Sequence, residues 1–259
     1  VAGAIVSFDA SGTQSLDAPC VCHGQPYATI RRRGNGTGWL PATAQVSTDA
    51  IRPLLALVLS CASEEQEKLP STLRQAVVAE RILLQRADRW LEELSATLRE
   101  PALGLVALAA LERGTGGLAE LAAESSNTLG QALLALTRHA ALLNESASFH
   151  LHVQGAEAVL VMQYRVSLSR TLRDFFAGYV ALSVARWLGS PTESTLWFYG
   201  PRPTHVLAYR RALPDVSVTF EAPCDAFVLP ASALRTRLRS ADPKLHAFLT
   251  RAADHVASF

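Results

Sequence analysis

Phe149-His150-Leu151-His152-Val153-Gln154-Gly155, followed by the apolar run 159–166, is the stretch on which the fold turns. Phe149, Leu151 and Val153 alternate with His150, His152 and Gln154, the period of two of a half-buried strand. Gly155 offers a turn and 159–166 returns, so the segment predicts a β-hairpin. Working outward from it, the chain changes character. Before it the apolar pattern is helical; after it, helices and short strands mix. The expected fold class is α+β: a helical subdomain over 45–111, an α+β region with a small, mostly antiparallel sheet over 112–240, and a closing helix over 241–259.

On the upstream side, Ile51, Leu54, Leu55, Val58 and Leu59 follow the helical period from residue 49, with Pro53 near the first turn. A long helix is expected over 71–99, with Val77, Leu84, Leu91, Leu94 and Leu98 on its apolar side and Pro101 ending it. A short apolar helix over 102–111 and a glycine turn at Arg113-Gly114-Thr115-Gly116-Gly117 follow. Further helices are expected over 118–124 and 128–143, the second opened by a Thr128/Gln131 capping box. Residues 1–44 hold no sustained period and read as an irregular or disordered extension that need not belong to the native domain.

Downstream of the hairpin, Thr171 with Asp174 reads as the cap of a helix over 171–188, and Gly189 as its stop. Strands are expected over 195–199, 216–220 and 226–229, with a short helix over 204–213 between the first two. Asp242-Pro243 opens the last helix.

Composition narrows the function. The 259 residues are 49% hydrophobic and 18% charged, with 24 Lys+Arg against 23 Asp+Glu. That is too apolar and too neutral for a disordered chain. A net charge of +1 provides no large field for holding nucleic acid by phosphate attraction alone. Lys68 and Lys244 are the only lysines, a bias that reads as GC-rich coding. Charge-free apolar stretches such as those between Glu100 and Glu112 and between Asp174 and Arg186 fall short of the roughly 18–20 residues a bilayer span needs. No secretory signal pattern opens the chain. The expectation is a cytoplasmic protein with reduced cysteines and no membrane partner.

No catalytic constellation assembles. Cys20-Val21-Cys22-His23 crowds three zinc-ligand types into four residues, but the spacing is wrong and no fourth ligand accompanies it, so no metal is expected. The glycines at 114, 116 and 117 lack the Lys-Ser/Thr and the preceding strand of a P-loop and read as an interhelical turn. Gly-x-Ser-x-Gly is absent, and Ser183 falls mid-helix. His150 and His152 read as solvated or pocket-edge residues of the hairpin. Arg235, Arg237 and Arg239 read as a solvated connector, and Arg31-Arg32-Arg33 carries less weight still. No cofactor is expected, and no enzyme.

One helix face is more informative. On the helix over 171–188, Leu172, Phe175, Tyr179, Leu182 and Arg186 share a stripe. Tyr179 and Arg186 place a hydroxyl and a guanidinium on that apolar side, as small-molecule sites do. Phe175, Tyr179 and Arg186 are therefore the candidate ligand-binding residues. The competing reading is ordinary core with Arg186 snorkelling at its edge.

The order of phrases adds a resemblance. Pro101-Ala102-Leu103-Gly104-Leu105, Thr128-Leu129-Gly130-Gln131-Ala132-Leu133, Trp197-Phe198-Tyr199-Gly200-Pro201-Arg202-Pro203 with Tyr209-Arg210-Arg211, Val218-Thr219-Phe220-Glu221, Phe227-Val228-Leu229-Pro230 and Ala241-Asp242-Pro243-Lys244-Leu245-His246 together resemble the arabinose-binding-like N-terminal domain of AraC-type transcription regulators. The resemblance spans about residues 49–250. It implies a bacterial intracellular sensor that binds a small-molecule effector or mediates homodimerisation. DNA is then bound through a C-terminal helix-turn-helix domain that is expected where this chain stops. It carries over no binding residues, because the family has no fixed pocket signature. A ligand-free structural dimerisation module is the alternative, and a small-molecule-modifying enzyme on a related fold the third reading.

Overall fold

The computed structural model describes residues 81–189 and 193–258, together with 4–5, 7–8, 14–15, 45–47 and residue 51. The expected helix from residue 49, apart from Ile51, lies outside the described residues, as do Cys20, Cys22, His23, Arg31, Arg32, Arg33 and Cys61.

Early strands are short: β1 (Ala4–Ile5), β2 (Ser7–Phe8), β3 (Gln14–Ser15) and β4 (Gln45–Ser47). β5 (Arg81–Leu83) pairs antiparallel with β4, Ile82 opposite Val46. Of the helix expected over 71–99, residues 71–80, Val77 included, lie outside the described residues and 81–83 are strand, so α1 (Leu84–Leu98) follows directly from a strand. Arg81-Ile82-Leu83 reads as helix by period alone, but pairing with a strand some 35 residues upstream overrides that preference.

After α1 come α2 (Leu103–Val106), a 3-10 turn (Ala107–Ala110), α3 (Gly117–Glu124), α4 (Leu129–Arg138) and α5 (Ala140–Leu143). The expected helix over 128–143 is broken at His139, whose φ of −108° and ψ of 16° leave the helical region. The His139 ring, almost fully buried, is drawn instead to Asp254 at 2.9 Å. Thr128 caps α4 as expected, accepting from Gln131 N–H, while the Gln131 side chain accepts from Asn127 N–H one residue earlier than the standard box.

The hairpin forms in the register the alternation requires. β6 (Ala147–Gln154) and β7 (Glu157–Tyr164) pair Phe149 with Met162 and Leu151 with Leu160, all buried. α6 (Arg170–Leu188) lies on the face carrying Leu160, Met162, Leu196 and Phe227. Its cap is Ser169, not Thr171: the Ser169 hydroxyl accepts from Leu172 N–H, and Asp88 of α1 accepts from Ser169 N–H. Asp174 leaves the capping role because its carboxylate is held elsewhere, by Arg170 and Tyr209. Gly189 stops the helix at a φ of 63°.

The rest of the sheet is β8 (Thr195–Trp197), β9 (Ser217–Thr219) and β10 (Ala226–Pro230), with α7 (Val206–Ala212) between β8 and β9. Among the described residues the sheet order is β1-β6-β7-β10-β8-β9, antiparallel throughout except for the β8–β9 pair. Ala4–Ile5, within the segment read as irregular, adds its edge next to β6. The expected α+β class holds. Val159, Val161, Ala226 and Val228 form a smaller apolar cluster on the opposite face.

Finally α8 (Pro243–Ala257) is capped by Asp242, which accepts from Lys244 and Leu245 N–H, with Pro243 at its first position. α8 packs chiefly on α3. No described helix is long and apolar enough to cross a membrane.

Candidate functional site

The glycine turn before α3 has a specific occupant. Glu120, fully buried on the first turn of α3, turns back so that Oε2 accepts from Gly116 N–H at 2.7 Å and Oε1 from Gly114 N–H at 3.3 Å. The same Oε2 accepts from the Tyr179 hydroxyl of α6 at 2.9 Å. Arg186 Nη1 stands 3.8 Å from Oε1, too far for a hydrogen bond, while Nη2 donates to Leu111 O at 3.1 Å. Gly116 is required by close approach: a Cβ there would fall 2.1 Å from the Tyr179 hydroxyl. The turn is thus a small receptor for a carboxylate, made of backbone N–H groups at a helix start and closed by a phenol and a guanidinium.

The three sequence-predicted residues fall along this helix face. Phe175 is fully buried, edge-on to Phe176 at 5.7 Å, and belongs to the main core. Tyr179 is buried and Arg186 half-buried, and both meet Glu120. The structure therefore brings Tyr179 and Arg186 together and leaves Phe175 one turn away. Burial, and next the Glu120 charge, hold the Tyr179 hydroxyl well above its ordinary pKa, so it stays a donor. Ser183 on the same helix, also buried, lies against that hydroxyl and partly offsets the rise, while Arg186 Nη1 has no hydrogen-bond partner. Sequence reading missed Glu120. Its signal was a glutamate four residues after a glycine at a helix start.

A second polar cluster fixes the other end of α6. Arg170 Nε donates to Asp174 Oδ1 at 2.8 Å, and the Tyr209 hydroxyl donates to Asp174 Oδ2 at 2.7 Å. The Arg170 guanidinium lies over Phe198, Phe220 and Tyr209, at 5.2, 5.4 and 5.8 Å from the ring centroids. Such contacts are worth about 0.5–2 kcal/mol each, most when desolvated. Burial raises the Asp174 carboxyl above its usual range, although Arg170 and the hydrogen bonds oppose this. Arg170, Asp174 and Tyr209 are engaged with one another, a brace that ties residues 198–220 to α6. The His205 ring stacks on Tyr209, with Nε2 3.7 Å from Asp174 Oδ2 and no hydrogen-bond partner.

His150 is exposed and His152 half-buried on the outer face of β6. Burial lowers both pKa values from 6.5, and for His152 the neighbouring His150 lowers it further. A depressed histidine makes the unfolded state the stronger proton binder, so stability falls as pH drops through 6.5 and is regained above it. Chemical denaturation between pH 5 and about 7.5 is expected to show this rise, and His152→Asn to flatten it. An unchanged slope in that variant would contradict the assignment.

Arg235, Arg237 and Arg239 are exposed, as a connector would have them. Cys224 is half-buried, its thiol pushed up to about 12 by burial and the adjacent Asp225 charge, which leaves it a poor nucleophile.

Comparison with known proteins places this architecture. The family model described as the arabinose-binding domain of AraC transcription regulators, N-terminal, matches residues 70–238. Among solved structures, the transcriptional regulator CdpR from Pseudomonas aeruginosa has a similar fold, with a TM-score of 0.55 and 19% identity. That match covers 80% of this chain and 65% of the CdpR chain, so the present chain spans somewhat under two thirds of its relative. No curated protein matches the sequence. The match over most of the described fold shows that the chain belongs to the arabinose-binding N-terminal domain family of AraC transcription regulators.

Proposed function

We propose that this domain is the effector-sensing and dimerisation part of a bacterial cytoplasmic regulator, controlling DNA binding by a helix-turn-helix domain C-terminal to it. The polar junction on α6 carries this reading. Tyr179 and Arg186 set a hydroxyl and a half-free guanidinium on a helix face that also carries the buried Phe175. A small molecule seated there would shift the regulator only by binding its two states unequally.

A homodimer is favoured by α8. Leu249 and Ala253 are buried against the body, while Leu245, Phe248 and Val256 are exposed along one stripe. Such a stripe suits a second copy of the same helix. Two measurements test the proposal together. A thermal-shift screen of metabolites is expected to find a stabilising ligand, with a gain of about 2.7 kcal/mol at a hundredfold excess over Kd that Arg186→Ala abolishes. Light scattering is expected to report a dimer that Phe248→Glu dissociates. A dimer stabilised by no ligand in a broad library would favour the alternative, a purely structural dimerisation module.

A further inference from the structure

Within the polar junction on α6, Glu120 occupies a site built by other parts of the chain. Its carboxylate sits among donors only: two glycine N–H groups, the Tyr179 hydroxyl and, at longer range, the Arg186 guanidinium. One further donor aimed at the same place remains without a hydrogen-bond partner: Arg186 Nη1 faces Glu120 Oε1 at 3.8 Å without reaching it. A side chain tethered to α3 fills this donor set incompletely, where a free carboxylate could also reach Arg186 Nη1. The neighbouring charges balance around it, since Arg113 Nε pairs with Glu124 Oε1 at 2.6 Å on the outer side. The Glu120 charge also acts on Arg113, but Arg186 is the cation that lies close to its carboxylate, at 3.8 Å.

We infer that the effector of this domain carries a carboxylate, which takes the place of Glu120 on Tyr179, Arg186 and the amides of the 114–116 turn. This rests on the effector-binding reading above and adds the ligand's chemical class and its consequence. Glu120 is part of α3, and α3 carries α8. His246 Nδ1 of α8 meets Ala122 O at 2.8 Å, and Asp242 N–H donates to Ser125 O at 3.0 Å. Expelling Glu120 therefore acts on the helix to which the last helix is anchored. The ligand need not touch α8 to move it.

The test uses acetate and formate as probes, against chloride at equal ionic strength. Glu120→Ala deletes the tethered carboxylate and leaves its donors unpaired, so the melting temperature falls in chloride. Acetate or formate at tens of millimolar is expected to restore several degrees, and to give no such gain in Glu120→Ala/Arg186→Ala. Equal melting temperatures in acetate and chloride overturn the inference. If Glu120→Ala stays insoluble in both salts, Glu120→Gln decides. Acetate must then raise its melting temperature more than the wild type's, and equal shifts overturn the inference. Failure of rescue with a ligand found in the metabolite screen would leave effector sensing intact and remove only the carboxylate class. Rescue by acetate with no stabilising ligand found in the screen would overturn both, because the inferred class belongs to an effector.

Discussion

Asp174→Ala is expected to lower the melting temperature by on the order of 10 °C, following from about 3–5 kcal/mol for breaking a buried pair and some 2–4 °C per kcal/mol in a domain of this size. The carboxylate is almost fully buried and is the counter-charge of Arg170, whose guanidinium is enclosed by Phe198, Phe220 and Tyr209. Removing it strands a cation among rings and leaves the Tyr209 hydroxyl without its acceptor. Asp174→Asn keeps the shape and should fall between. Since burial already works against the ionised pair, Arg170→Met combined with Asp174→Leu should cost less than Asp174→Ala alone. Thermal unfolding by circular dichroism reads all three. A shift under about 2 °C for Asp174→Ala, below the usual cost of an unpaired buried group, would mean the rings hold Arg170 without its partner.

Gly104→Ala should be nearly as damaging for a steric reason. α2 crosses α6 so closely that a Cβ on Gly104 would lie 2.0 Å from Thr171 O and 3.1 Å from Phe175 N. Both are backbone atoms of a helix, which cannot step aside as a side chain does, so the two helices must separate. Overpacking costs about 1–3 kcal/mol where side chains absorb it, and the upper end or beyond is expected here. Gly178→Ala is the internal control. Its Cβ would meet Leu108 Cδ1 at 2.2 Å, the far end of a side chain that can rotate. Denaturant titration should rank Gly104→Ala as the more destabilising, and the reverse order would mean the α2–α6 crossing is looser than its geometry.

These two variants also mark where the sequence was transparent. The hairpin, the Gly189 stop and the Asp242-Pro243 helix start all follow from local rules, because period two, a left-handed glycine and an N-cap act within a few residues. β5 and the break at His139 do not, since each is set by a partner about 35 or 115 residues distant. The candidate site divides the same way. The helical stripe picked out Tyr179 and Arg186, but Glu120 and Asp174 gain their meaning from residues 59 and 35 positions away. Arg170 drew no reading from the sequence, because the three aromatic rings around it lie 28 to 50 residues further along the chain.

The sheet's connectivity bears on how the molecule assembles. β6 and β7 meet across Gly155, so their loop closes at little entropic cost and early. β10 pairs with β7 on one side and β8 on the other, and the chain between β7 and β10 includes all of α6. That strand cannot dock until some sixty intervening residues have been gathered in, the kind of distant pairing that slows folding. Chains emerging from synthesis would thus expose the unpaired edge of β7, with its run of buried valine and leucine, until Phe227 and Val228 arrive. The interval before that closure is the period in which this domain is most prone to misassociation.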